Sequence, residues 1–262
     1  MNQKYPNNNK CNQWDQLFIE NDTFQFMLNG KVKINLYKDS ILSNLIFRGF
    51  EKEETEFIST YVKKGDIVID IGANIGLYTL LAAKKTGKTG KVISFEPTPE
   101  IFFRLEENIK GNNFTNIDSR NIGLSHKKDN LIFFVSNNGY DAWNSLAPSK
   151  DSKLQNRIKI DVSTLDIELK EVDKSKITFV KLDVEGWEKF VILGGTEFFT
   201  NYSPLVMVEF TEKNTLNAGY HVHELYDIMI DLGYKWYRIE NRVLISEEKK
   251  INYPYVNLFA KK

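Results

Sequence analysis

Short apolar runs alternate with amphipathic segments through most of the chain. Residues 67–69 form a β-branched run typical of a strand that is buried on both faces of a parallel sheet. The apolar residues of the next segment, 77–83, recur at helical spacing. The same succession predicts strands at Lys91–Phe95, 117–124, Ile177–Leu182 and Leu205–Phe210, with helices that begin near Pro99, Trp187 and Val222. Alternating strands and helices predict a doubly wound α/β fold with a mostly parallel sheet.

The N-terminal part of the chain has a different pattern. Thr23–Leu28 and Val32–Tyr37 flank Asn29-Gly30, the dipeptide best suited to a type I′ turn, so a β-hairpin is predicted. The Asn-rich residues 1–16 are expected to be frayed. We therefore predict an N-terminal extension with a β-hairpin, residues 1–50, and a larger α/β domain over 51–262 that opens with a helix at 51–62.

Composition and charge narrow the function classes. The 262 residues carry 35 Lys plus Arg and 35 Asp plus Glu, so the net charge does not favour nucleic acid or an anionic membrane as a partner. Cys11 stands alone and cannot form an intrachain disulfide. No apolar run approaches the ~20 residues of a membrane helix, and the N-terminus lacks an apolar signal core. A cytoplasmic protein is expected, while its oligomeric state is not indicated.

The turn after the first parallel strand indicates a nucleoside ligand. Gly72 and Gly76 permit a tight turn that a ligand can approach closely, and Glu96 ends the next strand. A dinucleotide fingerprint places a glycine where this chain has Asn74, and the charge of Asp70 would repel a pyrophosphate. S-adenosylmethionine (SAM) is cationic, and a carboxylate such as Glu96 can accept hydrogen bonds from its ribose hydroxyls. SAM is therefore favoured, and the competing interpretation is that the glycines serve only the turn and its packing.

An ordered series of motifs extends this interpretation. The segments VIDIGANIGLYTLLAA, VISFEPTPEIFFRLEENI, TFVKLDVEGWEKFVILGG and PLVMVEF are preceded by FRGFEKEETEFISTYVKKGD. The series resembles the FkbM family of SAM-dependent methyltransferases over roughly residues 46–235, most specifically at DIGANIG, FEP and KLDVEG. The resemblance implies a class I (Rossmann-like) methyltransferase domain over 51–262, with a seven-stranded sheet and an antiparallel edge strand. The predicted cofactor-binding residues are Asp70, Gly72, Asn74, Gly76, Glu96, Pro97, Asn121, Ile122 and Asp183, with contact to the adenine implied at Asn121 and Ile122.

Acidic residues follow the two later strands of the predicted sheet. Asp183 ends one strand with Glu185 two residues on, and Glu209 lies in the other, so all three are expected at the ligand-binding edge. Asp183 or Glu185 is the predicted general base, with His221 and His223 in reserve. A divalent cation such as Mg²⁺, held by Asp183 and Glu209, is the alternative. The competing structural interpretation is that Glu185 caps the next helix and Asp183 only bonds backbone amides.

Aromatic and amide residues occur together in the β-rich stretch between residues 131 and 166. Rings stack on the C–H faces of sugars while amides and hydroxyls bond to sugar hydroxyls, so this mixture suits a polar acceptor. The predicted substrate residues are Tyr140, Trp143, Asn144, Ser145 and Glu209. A surface hairpin whose aromatic side chains rejoin the core is the competing interpretation.

The predicted reaction is O-methylation of a sugar, nucleotide sugar or glycan hydroxyl with SAM as methyl donor. Three alternatives stay open at this point: N-methylation of a small molecule, a nicotinamide-dependent oxidoreductase, and a non-catalytic module that binds a glycan or cofactor. The Asp/Asn-Pro-Pro-aromatic motif of many amino methyltransferases is absent from the chain, which disfavours methylation of a base.

Overall fold

The computed structural model describes residues 9–136, 144–147 and 155–262. Its N-terminal half contains α1 (Asn9–Gln16), β1 (Thr23–Leu28), β2 (Val32–Tyr37), α2 (Ile41–Phe47), α3 (Lys52–Tyr61), β3 (Ile67–Ile71), α4 (Leu77–Thr86), β4 (Lys91–Phe95), α5 (Pro99–Gly111), β5 (Ile117–Arg120), β6 (Gly123–Leu124) and β7 (Asp129–Ser136). The C-terminal half contains β8 (Gln155–Ser163), α6 (Leu165–Glu168), β9 (Ile177–Leu182), α7 (Glu188–Gly194), α8 (Thr196–Asn201), β10 (Leu205–Phe210), α9 (Glu212–Asn217), α10 (His223–Asp231), β11 (Lys235–Glu240), β12 (Val243–Ser246) and β13 (Val256–Lys261).

The central sheet confirms the predicted fold class. Its strand order is β12-β11-β13-β10-β9-β3-β4-β5, and the five strands from β10 to β5 run parallel. Strand β13 is antiparallel to both of its neighbours, β10 and β11. The order reverses between β3 and β9, where doubly wound sheets open a crevice at the carboxyl ends of their strands.

The sheet has one strand more than the seven predicted. Strand β12 pairs antiparallel with β11 at the sheet edge, after a two-residue turn at Asn241 and Arg242. Both turn residues have positive φ, 52° and 64°. A type I′ turn requires this conformation, and Arg is an unusual residue for it. The sequence therefore gives little signal for this hairpin.

The strand predicted over 117–124 is wrong as one element. Strand β5 ends at Arg120, and β6 belongs to a second sheet of order β6-β8-β7. A Cβ at Gly123 would lie 3.1 Å from Val162 Cγ1 of β8, so the glycine permits this close pairing. The interruption places Asn121 and Ile122 between the two sheets, beside the crevice.

Apolar side chains pack on both faces of the central sheet, as the buried pattern of β3 predicts. Val68 belongs to a cluster with Leu80 and Phe259, whereas Ile69 points the other way into a cluster with Trp236. The side chains of successive residues in one strand thus pack on opposite faces of the sheet. Among the described helices, none is long and apolar enough to span a bilayer.

The N-terminal hairpin forms as predicted, with Asn29 and Gly30 both at positive φ. The expectation that residues up to 16 are frayed is wrong for Asn9–Gln16, which is helical. Trp14 anchors this helix, because its buried ring packs against Phe18 at 4.7 Å and Phe47 at 5.8 Å between centroids. Apolar residues on both sides of the predicted boundary at residue 50 share one cluster.

Candidate active site

The candidate site lies at the carboxyl ends of the parallel strands. Strand β3 carries Asp70 and runs into the glycine turn, β4 ends before Glu96, β9 ends before Asp183, and Glu209 lies in β10. Because these strands are adjacent and parallel, their ends meet at one edge of the sheet.

The glycine turn is fixed by contacts within the protein. Gly72 has φ +78°, and a Cβ there would lie 1.9 Å from the carbonyl oxygen of Asp183. Gly76 has φ +101°, and its Cβ would lie 2.7 Å from Leu105 Cδ1. Asn74 also has positive φ, a conformation that Asn tolerates better than most residues. The glycines therefore serve packing: Gly72 allows the turn to lie against the end of β9, and Gly76 allows it to lie against α5.

Glu96 holds the two turns around it together. Its Oε2 accepts a hydrogen bond from the backbone N–H of Asn74 at 3.0 Å, and its Oε1 accepts one from the N–H of Thr98 at 2.8 Å. Burial raises the pKa of Glu96, and these backbone donors oppose that rise. A carboxylate offers about four lone-pair positions, so each oxygen retains capacity for a ligand hydroxyl. Thr98 is the residue before α5, and its side chain makes no capping hydrogen bond to the helix.

A buried lysine links the two halves of the site. Lys181 Nζ lies 3.2 Å from Asp183 Oδ2 and 3.8 Å from Asp70 Oδ1, and it donates to the carbonyl of Gly72 at 2.7 Å. Burial acts to lower the pKa of Lys181, but the charges of Asp183 and Asp70 raise it overall. The lysine thus offsets part of the negative charge of the acidic edge and ties β9 to the glycine turn.

Asp70 has unused acceptor capacity despite this lysine. The side chain is 1% exposed, and its Oδ2 accepts from the Thr79 hydroxyl at 2.5 Å. Its Oδ1 accepts no hydrogen bond from any described residue. Burial raises the pKa of Asp70 above its usual range.

A small apolar cavity adjoins the turn on the side where the adenine was predicted. Its lining includes Gly72, Pro97, Ile122, Leu146 and Trp187. The cavity measures about 30 Å³, and apolar side chains form most of its wall.

Asn121 lies close by, and its NH₂ group forms hydrogen bonds within the protein. It donates to the carbonyls of Glu96 at 2.8 Å and Pro97 at 3.1 Å. With its NH₂ group engaged, Asn121 would contact an adenine through its side-chain oxygen. The adenine contact itself stays a prediction.

Three carboxylates converge where strands β9 and β10 end. One oxygen from each of Asp183, Glu185 and Glu209 lies within 4.8 Å of the others. Burial, followed by the charge of Asp183, raises the pKa of Glu185 well above its usual range. Burial, followed by the charges of Glu185 and Asp183, does the same for Glu209. The sequence prediction that these three residues share one edge therefore matches the geometry.

The loop after β9 fixes the direction of Glu185. Glu185 has φ +55°, and the amide of Asn214 donates to its Oε2 at 2.5 Å. The competing prediction that Glu185 caps the next helix is wrong, because α7 has no side-chain cap hydrogen bond. Glu188 Oε1 instead accepts from the N–H groups of Val184 and Gly186 in the loop before the helix. Burial raises the pKa of Glu188 to about 7.

Glu51 joins the site from the N-terminal side and was not among the predicted site residues. Its carboxylate accepts hydrogen bonds from Tyr78 at 2.6 Å, Tyr255 at 2.8 Å and Asn257 at 2.6 Å. Burial, followed by the charge of Asp183, raises its pKa. The only sequence signal was the resemblance of the segment around it to a family helix that bears glutamate. For Lys181, the signal was a charged residue inside an apolar strand.

The two candidate histidines interact with each other and with Glu212. His221 Nε2 lies 2.7 Å from Glu212 Oε1, and its Nδ1 accepts from the backbone N–H of His223. The two rings lie 4.4 Å apart between centroids. Among the described residues, the group with metal-ligand spacing contains neither histidine. Their reserve role as general base stays a prediction.

Three of the five predicted substrate residues can be placed: Glu209 lies in the carboxylate cluster, and Asn144 and Ser145 lie in the segment 144–147. Ser145 is buried and donates to the carbonyl of Glu185 at 2.7 Å, so it anchors its segment to the carboxylate loop. Asn144 Oδ1 accepts from the N–H of Ser136 at 2.9 Å. Tyr140 and Trp143 lie outside the described residues.

Comparisons with known proteins identify relatives of this chain. A hexuronic acid methyltransferase, AglP, from Haloferax volcanii is 29% identical over 150 residues, which are 56% of this chain and 56% of that protein. The antimetabolite synthetase AmbE from Pseudomonas aeruginosa is 27% identical over 161 residues, 49% of this chain and 8% of that protein. The chain thus spans about half the length of the first of these relatives and a small part of the second.

Among solved structures, the chain is similar to a methyltransferase FkbM from Methylobacillus flagellatus KT, with 15% sequence identity and a TM-score of 0.48. The similarity covers 76% of this chain and 44% of that chain. The family described as "Methyltransferase FkbM domain" matches residues 70–236. Because this match takes in more than half of the chain, the protein belongs to the FkbM methyltransferase family.

Proposed function

We propose that the protein transfers the methyl group of SAM to a hydroxyl oxygen of a sugar, nucleotide sugar or glycan. The observation that carries this proposal is the convergence of Asp183, Glu185 and Glu209 beside the glycine turn. A protonated hydroxyl is a poor nucleophile, so its methylation benefits from a carboxylate that accepts the proton and from close alignment. Family membership favours methyl transfer over the hydride transfer of a nicotinamide enzyme.

The residues present fit SAM. Within the part of the chain that the structure describes, the buried Asp70 Oδ1 has no hydrogen-bond donor, and the acidic edge has more carboxylates than Lys181 can neutralise. Both features suit a ligand that carries an ammonium and a sulfonium group. Glu96 has lone pairs left for ribose hydroxyls, and Gly72 keeps the turn free of a side chain.

When bound, SAM supplies an electrophilic methyl group on a positively charged sulfur. The residues of this chain then have separate tasks. Glu96 accepts hydrogen bonds from the ribose, and Lys181 orients Asp183. Asp183 accepts the proton of the acceptor hydroxyl while the new C–O bond forms and the C–S bond breaks, with its electron pair left on sulfur. Glu185 and Glu209 face the same space and orient the acceptor.

The sugar class rests on the similarity to the hexuronic acid methyltransferase from Haloferax volcanii. That relative is distant, and the carboxylate cluster here would repel the carboxylate of a free uronic acid. A neutral hydroxyl-bearing sugar is therefore the acceptor we expect.

Replacing Glu96 with glutamine is expected to weaken SAM binding by about 1.5 to 3 kcal/mol, because a hydrogen bond to a charged group is worth this much. Glutamine keeps the shape and one acceptor oxygen but removes the charge. Calorimetric titration measures the affinity, with Glu100→Gln as a matched control because Glu100 is exposed on α5. An affinity equal to that of the unchanged protein would remove Glu96 from the pocket.

The reaction is tested by mass spectrometry of purified protein incubated with SAM and a panel of nucleotide sugars, free sugars and cell glycans. We expect one acceptor to gain a methyl group on oxygen, in step with formation of S-adenosylhomocysteine. A methyl group found on nitrogen would instead establish the N-methyltransferase alternative. Binding of NAD without any binding of SAM would contradict the whole proposal.

A further inference from the structure

The carboxylate loop, residues 183–186, has a backbone conformation that needs support from its surroundings. Glu185 has φ +55° and is followed by Gly186 with φ +98°. Residues other than glycine rarely adopt positive φ, and such a conformation persists only where neighbouring contacts hold it. A Cβ at Gly186 would lie 2.5 Å from the carbonyl oxygen of Asn214, so the loop also packs tightly against α9. The directions of Asp183 and Glu185 therefore depend on the contacts that hold this loop.

Glu188, in the first turn of α7, provides two of these contacts with a single oxygen. Its Oε1 accepts hydrogen bonds from the N–H of Val184 at 2.9 Å and from the N–H of Gly186 at 3.2 Å. Its Oε2 accepts from the Tyr220 hydroxyl at 3.4 Å. The residue is 1% exposed, so both oxygens are used within the protein. Glu188 thus holds the backbone on either side of Glu185.

Two other side chains hold the same loop at different groups. Ser145 donates to the carbonyl of Glu185 at 2.7 Å, and the amide of Asn214 donates to Glu185 Oε2 at 2.5 Å. These donors fix the carbonyl and the carboxylate of Glu185, whereas Glu188 accepts from the N–H groups that flank it. The three contacts together limit the directions in which the carboxylate loop can move.

Building on the proposed methyl transfer at this site, we propose that Glu188 is a positioning residue that sets the directions of Asp183 and Glu185 for the reaction. It acts through the carboxylate loop, because its own oxygens are engaged by Val184, Gly186 and Tyr220. A misplacement of about 1 Å in a reacting group can slow a reaction about 10²-fold. The reach of the Glu188 side chain to two N–H groups, more than its charge, is therefore what methyl transfer requires.

Two substitutions separate reach from charge. Glu188→Asp keeps the charge but is one methylene shorter, so its oxygen falls short of the two N–H groups. Glu188→Gln keeps the length and one acceptor oxygen but removes the charge, and its NH₂ group can donate to the Tyr220 hydroxyl. We expect Glu188→Asp to slow single-turnover methyl transfer about 10- to 10²-fold at saturating SAM and acceptor. Glu188→Gln is expected to keep most of the rate.

The loss in Glu188→Asp is expected in the transfer step, with SAM affinity in calorimetry close to that of the unchanged protein. Tyr234→Phe is the control for lost stability, because it removes a buried hydrogen bond to the carbonyl of Tyr202 and leaves the carboxylate loop untouched. It should lower the melting temperature without slowing transfer. A further readout needs no acceptor: in NMR spectra, the amide protons of Val184 and Gly186 should move upfield in Glu188→Asp and change little in Glu188→Gln.

Three results would overturn the role of Glu188. The first is a full rate of transfer in folded Glu188→Asp. The second is a slower rate in Glu188→Gln than in Glu188→Asp, since charge rather than reach would then matter. The third is unmoved amide protons of Val184 and Gly186 in Glu188→Asp. If the unchanged protein methylates no sugar of the panel, the proposed function fails, and the amide protons still decide whether Glu188 holds the loop.

Discussion

Replacing Asp183 with asparagine is expected to slow single-turnover methyl transfer by roughly 10² to 10⁴, the usual contribution of a positioned acid or base. Asparagine keeps the shape of the side chain but cannot take up the hydroxyl proton. The substitution also removes the charge 3.2 Å from Lys181, so SAM affinity and stability are measured on the same sample. A loss of rate at saturating SAM then reports on chemistry rather than binding.

Matched variants separate the candidate roles. Asp227→Asn on α10 is the control, since this exposed aspartate pairs with Lys249 and should leave the rate unchanged. Glu185→Gln is expected to slow transfer less than Asp183→Asn if Asp183 is the base. If neither variant slows transfer more than about tenfold while removal of His221 does, the base assignment is wrong.

The arrangement of the predicted cofactor-binding residues around the glycine turn was predictable because these residues are close in sequence. Asp70, Gly72, Asn74 and Glu96 belong to one strand-turn-helix-strand unit, in which local geometry dictates which side chains meet. The carboxylates after β9 and in β10 were predictable for a related reason. Adjacent parallel strands end at the same edge, so the residues that follow them converge.

The remaining part of the site depends on long-range packing that a local pattern does not encode. Glu51 accepts hydrogen bonds from Tyr255, which is 204 positions away in the sequence, and from Asn257, which is 206 positions away. Nothing near Glu51 in the sequence specifies these partners. Tyr255 and Asn257 reach Glu51 because strand β13 lies between β10 and β11. That position of β13 depends on the pairing of the whole sheet.

Asn121 shows a different limit of sequence reasoning. Its position beside the crevice was predicted, but its NH₂ group is engaged by two backbone carbonyls. An Asn side chain has donors as well as an acceptor, and the sequence does not reveal which of them the backbone uses. Position was therefore easier to predict than the available hydrogen-bonding group.

Replacing Lys181 with methionine is expected to destabilise the fold by about 3 to 5 kcal/mol, the cost of leaving a buried charge without its partner. Methionine fills a similar volume, so the loss reports the charge rather than a cavity. Without the lysine, Asp70 and Asp183 face each other across the glycine turn with no cation between them, and the carbonyl of Gly72 loses its donor. Urea denaturation followed by circular dichroism measures the change in the free energy of unfolding.

The matched control for Lys181 is Lys176→Met, because Lys176 forms an exposed ion pair with Asp173. Exposed pairs contribute about 0 to 1 kcal/mol, so the control should unfold nearly as the unchanged protein does. The double variant Lys181→Met with Asp70→Asn should recover part of the lost stability. Without the lysine, Asp70 and Asp183 both lack their ion-pair partner, and Asp70 is the more buried of the two. If Lys181→Met costs no more than Lys176→Met, Lys181 does not hold the acidic edge together. The carboxylates would then have to be neutralised by protons or by a bound cation alone.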